Sequence, residues 1–486
     1  MKIKRIGVIG GGTAGFVSAL ILKSRYPDVQ VEIICSSKIG IIGVGEGSTE
    51  HWNEFLKYTG ISWRSVITRC DATFKAGIMF KGWADQDYLH STNPDFEPKS
   101  GQYNYVYGKQ ISEGAPEKTL TPNLVWNNLI DNRYLEDKVP PFNQFHFNTQ
   151  KLNTFLHDAA MLKNIPVIDD EITDVKLDSN GEIGSVVGTL QEYTYDFYID
   201  CTGFKKLLIS KLGGKWNSYS KYLKMNSAIV FPTEEKTEYN IYTTAQAMDY
   251  GWMFTIPVWG RNGNGYIFDS NYIDADTAKK EVESFLGHPI TVGKHLTFDP
   301  GAINRSWIKN CVAVGLSGNF VEPLEATSIG TSIQQAFLLM HRLPNYDEKT
   351  IEQYNSAVTD IMENIRDFII LHYQTKKDNS QFWKDVQTLE LPDSLKLKLE
   401  RWQKNLPIEE DFCRVSKYIL FREVNFIQVL HGLNLFNREN ISVEYNAQRK
   451  EIKELAVKAL IDIDLYEKSL TTISHKRFIE LIRSGI

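Results

Sequence analysis

The chain has 486 residues, 42% of them hydrophobic and 23% charged, with a formal net charge of −6. That length buries a substantial core and holds two or three domains or one large elaborated unit. The acidic balance, with no block of like charge, excludes the basic footprint of a nucleic-acid binder and any polybasic tail. The five cysteines (Cys35, Cys70, Cys201, Cys311 and Cys413) are scattered and odd in number. None is spaced as a metal-ligand pair, so they read as reduced and structural, and no metal is expected.

From Ile6 to Leu22 the chain carries no charge and follows the basic Met1-Lys2-Ile3-Lys4-Arg5, which imitates a secretory leader. Three consecutive glycines in its middle make a poor membrane helix and a good tight turn. The stretch therefore reads as strand, turn and helix, and a cytoplasmic protein with no membrane partner is expected. Ile6-Gly7-Val8-Ile9 is the strand, and Gly10-Gly11-Gly12-Thr13-Ala14-Gly15 fits G-x-G-x-x-G. Gly10 allows the sharp turn, Gly12 lets backbone approach a pyrophosphate, and Gly15 lets helix and strand pack closely. The helix start at Thr13 and Ala14 then offers free N–H groups to the phosphates. Val29 to Ile34 completes the βαβ unit of a Rossmann-like nucleotide module. The acid that often ends this second strand is replaced by Cys35 and Ser36, so ribose contact falls to Ser36 or to backbone.

Gly43-Val44-Gly45-Glu46-Gly47-Ser48-Thr49 reads either as a simple turn or as a loop that runs close against a ligand. No second G-x-G-x-x-G follows, so a dedicated nicotinamide site is not visible, and electrons for a bound flavin would arrive from elsewhere. Residues 84–125, rich in Tyr, Asn, Gly and Ser, read as a long loop. Alternating strands near 220 to 270 suggest an inserted sheet, and Lys396 to Glu400 and Glu451 to Leu465 have helical spacing.

Seven stretches occur in order: GGGTAG, GVGEGST, TFKAGIMFKGW (73–83), YIDCTGFKKLLI (198–209), GWMFTIPVWGRNGNGYIF (251–268), VGLSGNFVEPLEATS (314–328) and LHYQTKKDNSQFW (371–383). Together they resemble the flavin-dependent tryptophan halogenase family over roughly residues 1 to 400. The resemblance implies an α/β fold of the flavin monooxygenase type, with an inserted β-sheet and a C-terminal helical substrate region. The boundaries expected are an FAD module over 1–345, discontinuous around a sheet at about 211–299, and a helical region over 346–486. It implies FAD supplied reduced by a separate flavin reductase, with O2 and a halide (chloride, bromide or iodide) as co-substrates. Halide becomes hypohalous acid, which passes through the protein to a lysine and then to a small electron-rich aromatic substrate.

On this resemblance the cofactor contacts are Gly10, Gly12, Thr13, Ala14, Gly15, Ser36, Gly43, Val44, Gly45, Glu46 and Leu316. Leu316 stands where related hydroxylases carry Asp. The lysine is Lys75, in an otherwise apolar run where a lone lysine would ordinarily be solvated. Glu325 is placed beside the lysine, able to orient the electrophile and accept the proton leaving the ring. Family members carry Trp-x-Trp-x-Ile-Pro as a wall that keeps organic substrate from the activated flavin. Here Trp252 keeps the first position, Phe254 replaces the second and Pro257 fixes the following backbone. Core packing is the rival account of these rings. The family's halide site is a Thr-Gly pair of backbone N–H groups; here Thr327 is followed by Ser328, after Ala326 in place of a common Ser. Serine restricts the backbone relative to glycine and adds a hydroxyl, so chloride is the least safe choice of halide.

Two other readings stand beside the halogenase. A flavin monooxygenase hydroxylating an aromatic directly would need substrate access that Trp252 and Phe254 block. A flavin-binding protein without chemistry would bind FAD and be indifferent to Lys75→Ala.

Overall fold

The computed structural model describes residues 3–41, 46–92, 103–116, 121–412 and 418–485. It resolves into two compact units, one of residues 1–72, 147–220 and 299–363, the other of residues 73–146, 221–298 and 364–486.

The first unit is built on a six-stranded sheet. Its order is Trp307–Ile308, Cys311–Ala313, Phe197–Asp200, Arg5–Ile9, Gln30–Cys35 and Val167–Asp169. All neighbours are parallel except the first pair. Four of the five residues of Arg5–Ile9 are buried, the continuous apolar run that a parallel strand covered on both faces requires. The helix Thr13–Arg25 is buried continuously from Gly15 to Leu22. Its apolar residues circle the axis instead of forming one stripe, as in a helix enclosed by protein. The α/β class and the Rossmann-like turn expected from the sequence are both present.

The second unit is organised by a seven-stranded mixed sheet. Its order is Lys294–Thr297, Ser227–Thr233, Arg261–Phe268, Gly251–Val258, Tyr242–Met248, Gly77–Lys81 and Tyr88–Ser91. The hairpin-linked central strands alternate faces. Met253 joins Ile229, Phe231, Tyr266 and Phe268 in a core with Ala278 and Val282 of the helix Ala275–Leu286. That helix starts where Asp274 accepts the Thr277 N–H at 2.8 Å, a standard N-cap, and ends at Gly287 with φ 76°, a standard stop signal. The sheet recruits two strands from residues 77–91, far outside the expected insertion. Trp83 and Trp383 anchor on the internal strand Tyr242–Met248 by donating indole N–H groups to the Ala245 carbonyl at 2.9 Å and the Met248 carbonyl at 2.7 Å.

The expected long loop over 84–125 is corrected among the described residues. It contains the strand Tyr88–Ser91 and the helices Tyr103–Glu113 and Asn123–Trp126. Val106, Tyr107 and Ile111 sit in a core with Leu406, Ile427, Ile441 and Ala456, so the spacing of three apolar residues outweighs the polar composition around them. The helices expected near 396–400 and 451–465 are Asp393–Trp402 and Lys450–Lys468. No helix among the described residues is long and apolar enough to cross a membrane.

Candidate functional site

In the first unit, the glycines of the N-terminal turn meet different surroundings. A Cβ at Gly10, whose φ is +120°, would collide with the Cys201 carbonyl, and one at Gly15 would collide with the Gly10 carbonyl. A Cβ at Gly12 would meet nothing within 4 Å. The turn is thus tight on its protein side and open at its middle glycine. Gly12 is also the N-cap of the first helix and provides no side-chain cap, so the N–H groups that open the helix, beginning with Thr13 and Ala14, have no intrahelical acceptor.

Two other segments converge on that turn. Gly315, at φ +67°, lies so close to Ala14 that an added Cβ would be 2.6 Å from the Ala14 Cβ. This puts the short 3-10 turn Gly315–Ser317, with half-buried Leu316, beside the helix start. A Gly315 Cβ would also be 3.4 Å from Ser332 Oγ, which donates to the Ser328 carbonyl at 2.9 Å. Ser332 and Ser328 belong to the helix Thr327–Arg342. Its N-cap, Ala326, has φ 54° and ψ 36°, and no side chain caps the helix. Thr327 is buried and Ser328 exposed, while Glu325 is 2% exposed in the turn just before. Glu325, Thr327 and Ser328 are therefore consecutive with an uncapped helix N-terminus, a place that favours negative charge.

The glycine-rich loop reaches the same helix at its far end. Thr49 packs directly on Gly330, and His51 joins Thr49 Oγ1 (3.1 Å) to Gln334 Nε2 (3.0 Å). Gly43, Val44 and Gly45 lie outside the described residues, as does the side chain of Glu46. Ser36 is half-buried at the end of its strand, where its hydroxyl accepts the Lys38 N–H at 3.3 Å. Glu32, the acid earlier in that strand, is engaged by protein: Tyr195 donates to it at 2.6 Å and Gln30 at 2.5 Å. Asp200 is likewise committed, its carboxylate accepting from the Thr202, Leu208 and Ile209 N–H groups at 2.9 Å each. That anchors the turn after the third central strand.

In the second unit, Lys75 ends the short strand Thr73–Lys75 and is 1% exposed. The strand pairs antiparallel with Gln144–Phe147, Lys75 opposite Gln144 and Thr73 opposite His146. Thr73 Oγ1 donates to the Pro257 carbonyl at 2.7 Å. Its proton being used there, the 3.2 Å contact with His146 Nδ1 requires that nitrogen to carry the donor hydrogen. His146 Nε2 then accepts from Thr243 Oγ1 at 2.9 Å. Burial, with smaller contributions from the Lys75 and His475 charges, holds His146 well below the ordinary imidazole pKa, in keeping with this neutral tautomer. The relay from Thr243 through His146 and Thr73 to Pro257 ties the lysine strand to the strand Gly251–Val258.

That strand carries both proposed wall rings. Trp252 is 0% and Phe254 8% exposed, two residues apart on one face with ring centroids 6.2 Å apart. Met253 between them turns to the opposite face and packs against the helix Ala275–Leu286. Phe254 lies over Gly265 of the next strand, so the glycine in Asn264-Gly265-Tyr266 makes room for the ring. Trp252 and Phe254 are large and buried, a property shared by a wall and by a core.

Sequence reading missed His146, Thr73 and His475, whose Nε2 accepts the Phe74 N–H at 3.0 Å. The alternation in Gln144-Phe145-His146-Phe147 was a usable signal for His146, because it sets that ring on the same face as Gln144. Nothing near position 475 signals its role.

A family model described as Tryptophan halogenase matches residues 5–447. The 7-chloro-L-tryptophan 6-halogenase KtzR of Kutzneria sp. (strain 744) is 31% identical over 447 residues, covering 83% of this chain and 86% of the relative. Tryptophan 6-halogenase SttH of Streptomyces toxytricini is 29% identical, covering 84% and 85%. Among solved structures, Tar14, a tryptophan C-6 flavin-dependent halogenase from taromycin biosynthesis, matches with a TM-score of 0.89 and 26% identity over 99% of this chain and 100% of its own. With the family model spanning most of the chain, the protein belongs to the tryptophan halogenase family of flavin-dependent halogenases.

Proposed function

We propose that this halogenase oxidises halide with reduced FAD and O2 and delivers the halogen, through Lys75, to an electron-rich aromatic ring of the indole or phenol type. The observation that carries the reading is Lys75 itself, 1% exposed in the otherwise apolar run Phe74-Lys75-Ala76-Gly77-Ile78. Burying an ammonium is costly, and a protein that keeps one there gives it chemistry or a firm partner.

FAD fits the first unit by the open cradle at Gly12, the uncapped helix start at Thr13 and the Gly315–Ser317 turn beside it. When bound and reduced by a separate reductase, it supplies the two electrons that, with O2, convert halide to hypohalous acid. Thr327 and Ser328 offer halide their helix-terminal N–H groups, and the exposed Ser328 side chain changes the size and polarity of that place. Lys75 Nζ receives the hypohalous acid, either as hydrogen-bond donor or as haloamine. Glu325 accepts the proton displaced from the ring carbon, so that arene and hypohalous acid give aryl halide and water. Trp252 and Phe254 exclude the aromatic substrate from the flavin, which leaves halide as the species oxidised. Names of the relatives favour an indole, tryptophan among them, as the first substrates to try.

The test is product mass from purified protein with FAD, a generic flavin reductase, NADH and O2. Chloride, bromide and iodide are supplied separately against indoles and phenols, with catalase present. A halide-dependent mass gain that disappears in Lys75→Ala supports the reading. A gain of one oxygen without halide points to hydroxylation.

A further inference from the structure

Buried groups outside the roles above include His475, 0% exposed at the start of the helix His475–Ser484. It lies beyond residue 447, where the family match ends, and 401 positions from the residue it touches.

Lys75 has a backbone amide on each side of it, and both are held. On one side, the Phe74 N–H donates to His475 Nε2 at 3.0 Å. On the other, the Ala76 N–H donates to the Ile241 carbonyl at 2.6 Å. One residue joins the two holders. The His475 N–H donates to the Asn128 carbonyl at 2.8 Å, and the Ile241 N–H donates to Asn128 Oδ1 at 3.0 Å. The four bonds close a circuit around Lys75: Phe74, His475, Asn128, Ile241, Ala76. Asn128 sits at φ 58°, a left-handed conformation that asparagine tolerates better than most residues.

Each link is specific. Because Nε2 accepts from Phe74, the ring proton of His475 is on Nδ1, and only the neutral imidazole can serve. Burial lowers the His475 pKa to about 4, against a smaller opposing effect of the Tyr239 and Asn240 backbone, so the acceptor persists at neutral pH. The ring is wedged between Phe74, at a centroid distance of 6.1 Å, and Tyr239, at 6.0 Å. Phe478, one turn further along the same helix, packs on Phe74 at 5.8 Å. Ser474 caps that helix by accepting the Arg477 N–H at 3.3 Å, and the strand Thr472–Ser474 pairs with Leu129–Asp131, the strand that follows Asn128. The carboxyl-terminal segment is thus folded back to present one nitrogen lone pair to one amide.

We propose that His475, with Asn128 as hub, is a positioning residue for Lys75, fixing the backbone so that the amine captures hypohalous acid and presents it to the ring. The proposal rests on the reading that Lys75 carries the halogen. Misplacing a reacting group by about 1 Å costs on the order of 100-fold in rate, so loosening this amide falls on the transfer step. The oxidation of halide does not involve it.

The experiment measures two products together: aryl bromide, and hypobromous acid trapped by an added β-diketone scavenger. Their ratio reports delivery independently of how much enzyme is folded. In His475→Ala the ratio is expected to fall at least ~10-fold while total oxidised bromide per bound FAD holds. In His475→Gln, whose side-chain oxygen reaches the same amide, it recovers most of that loss. Asn128→Gly keeps the carbonyl and the left-handed backbone but removes Oδ1, and gives an intermediate fall; it carries the test if the alanine variant does not fold. In a Lys75→Ala background, His475→Ala adds nothing to the ratio. An unchanged ratio in both His475→Ala and Asn128→Gly, with Lys75→Ala lowering it, overturns the proposal. An unchanged ratio in Lys75→Ala overturns the reading of Lys75 instead, whatever the histidine does.

Discussion

Gly265→Ala puts a methyl group under Phe254. Gly265 has an ordinary extended backbone, so the cost is steric alone. The new Cβ would lie within 3.0 Å of two Phe254 ring carbons and 3.1 Å from Val230 Cγ1, where carbon contacts need about 3.5 Å. The ring must therefore move by more than about half an ångström, off its packing against Trp252 at 6.2 Å. Overpacking of this kind costs about 1–3 kcal/mol, and the displaced ring would open the proposed wall. Urea unfolding of the four proteins of a double-mutant cycle isolates the contact. Phe254→Ala alone costs about 3–5 kcal/mol, but in the Gly265→Ala background it costs less by the relieved clash, a coupling of about 1–2 kcal/mol. In turnover without halide, Gly265→Ala is expected to raise oxygen-only products from an indole. Additivity within about 0.5 kcal/mol would show that Phe254 does not bear on Gly265 and would refute the proposed wall packing.

Gly315→Ala should weaken FAD binding at least ~10-fold in a fluorescence titration, because φ +67° and the Ala14 Cβ at 2.6 Å leave neither backbone nor space for a methyl group. Unaltered affinity would remove the 315–317 turn from the cofactor site. Ala326→Gly should stabilise the protein by about 1 kcal/mol in urea, since Ala326 occupies the left-handed region at φ 54° that costs about 1–2 kcal/mol for an alanine; a destabilisation would refute the strain. Acid should destabilise the protein through its buried histidines. Burial lowers His431 and His475 to about 4, against about 6.5 unfolded, so between those values the unfolded chain binds more protons. Their contribution is full above about pH 6.5 and lost by about pH 4, up to about 3 kcal/mol each. Stability measured against pH in His475→Gln should show a slope reduced by about one proton over that window, and an identical slope would refute the assignment.

Much of the first unit was legible in residue order because its devices are local. Gly10 needs positive φ and Gly15 needs a bare Cα, and both needs are written in six consecutive residues. The stripe Trp252, Phe254 and Ile256 was legible for a similar reason: side chains two apart in a strand share a face whatever lies around them. The segment 84–125 was misread because its apolar residues, Val106, Tyr107 and Ile111, are few among polar ones. Their burial depends on partners three hundred residues later, and composition carries no record of that.

By itself the sequence determined the family, the tight glycine turn after the first strand and the stripe of paired rings, since each is a short pattern with a fixed geometric consequence. Only the tertiary structure decided what holds Lys75. Thr73 reaches Pro257, 184 positions away, His146 reaches Thr243, 97 away, and Phe74 reaches His475, 401 away. A hydrogen bond is set by two positions in space, and a single histidine near the end of a chain has no periodicity or neighbour that announces which amide it will meet.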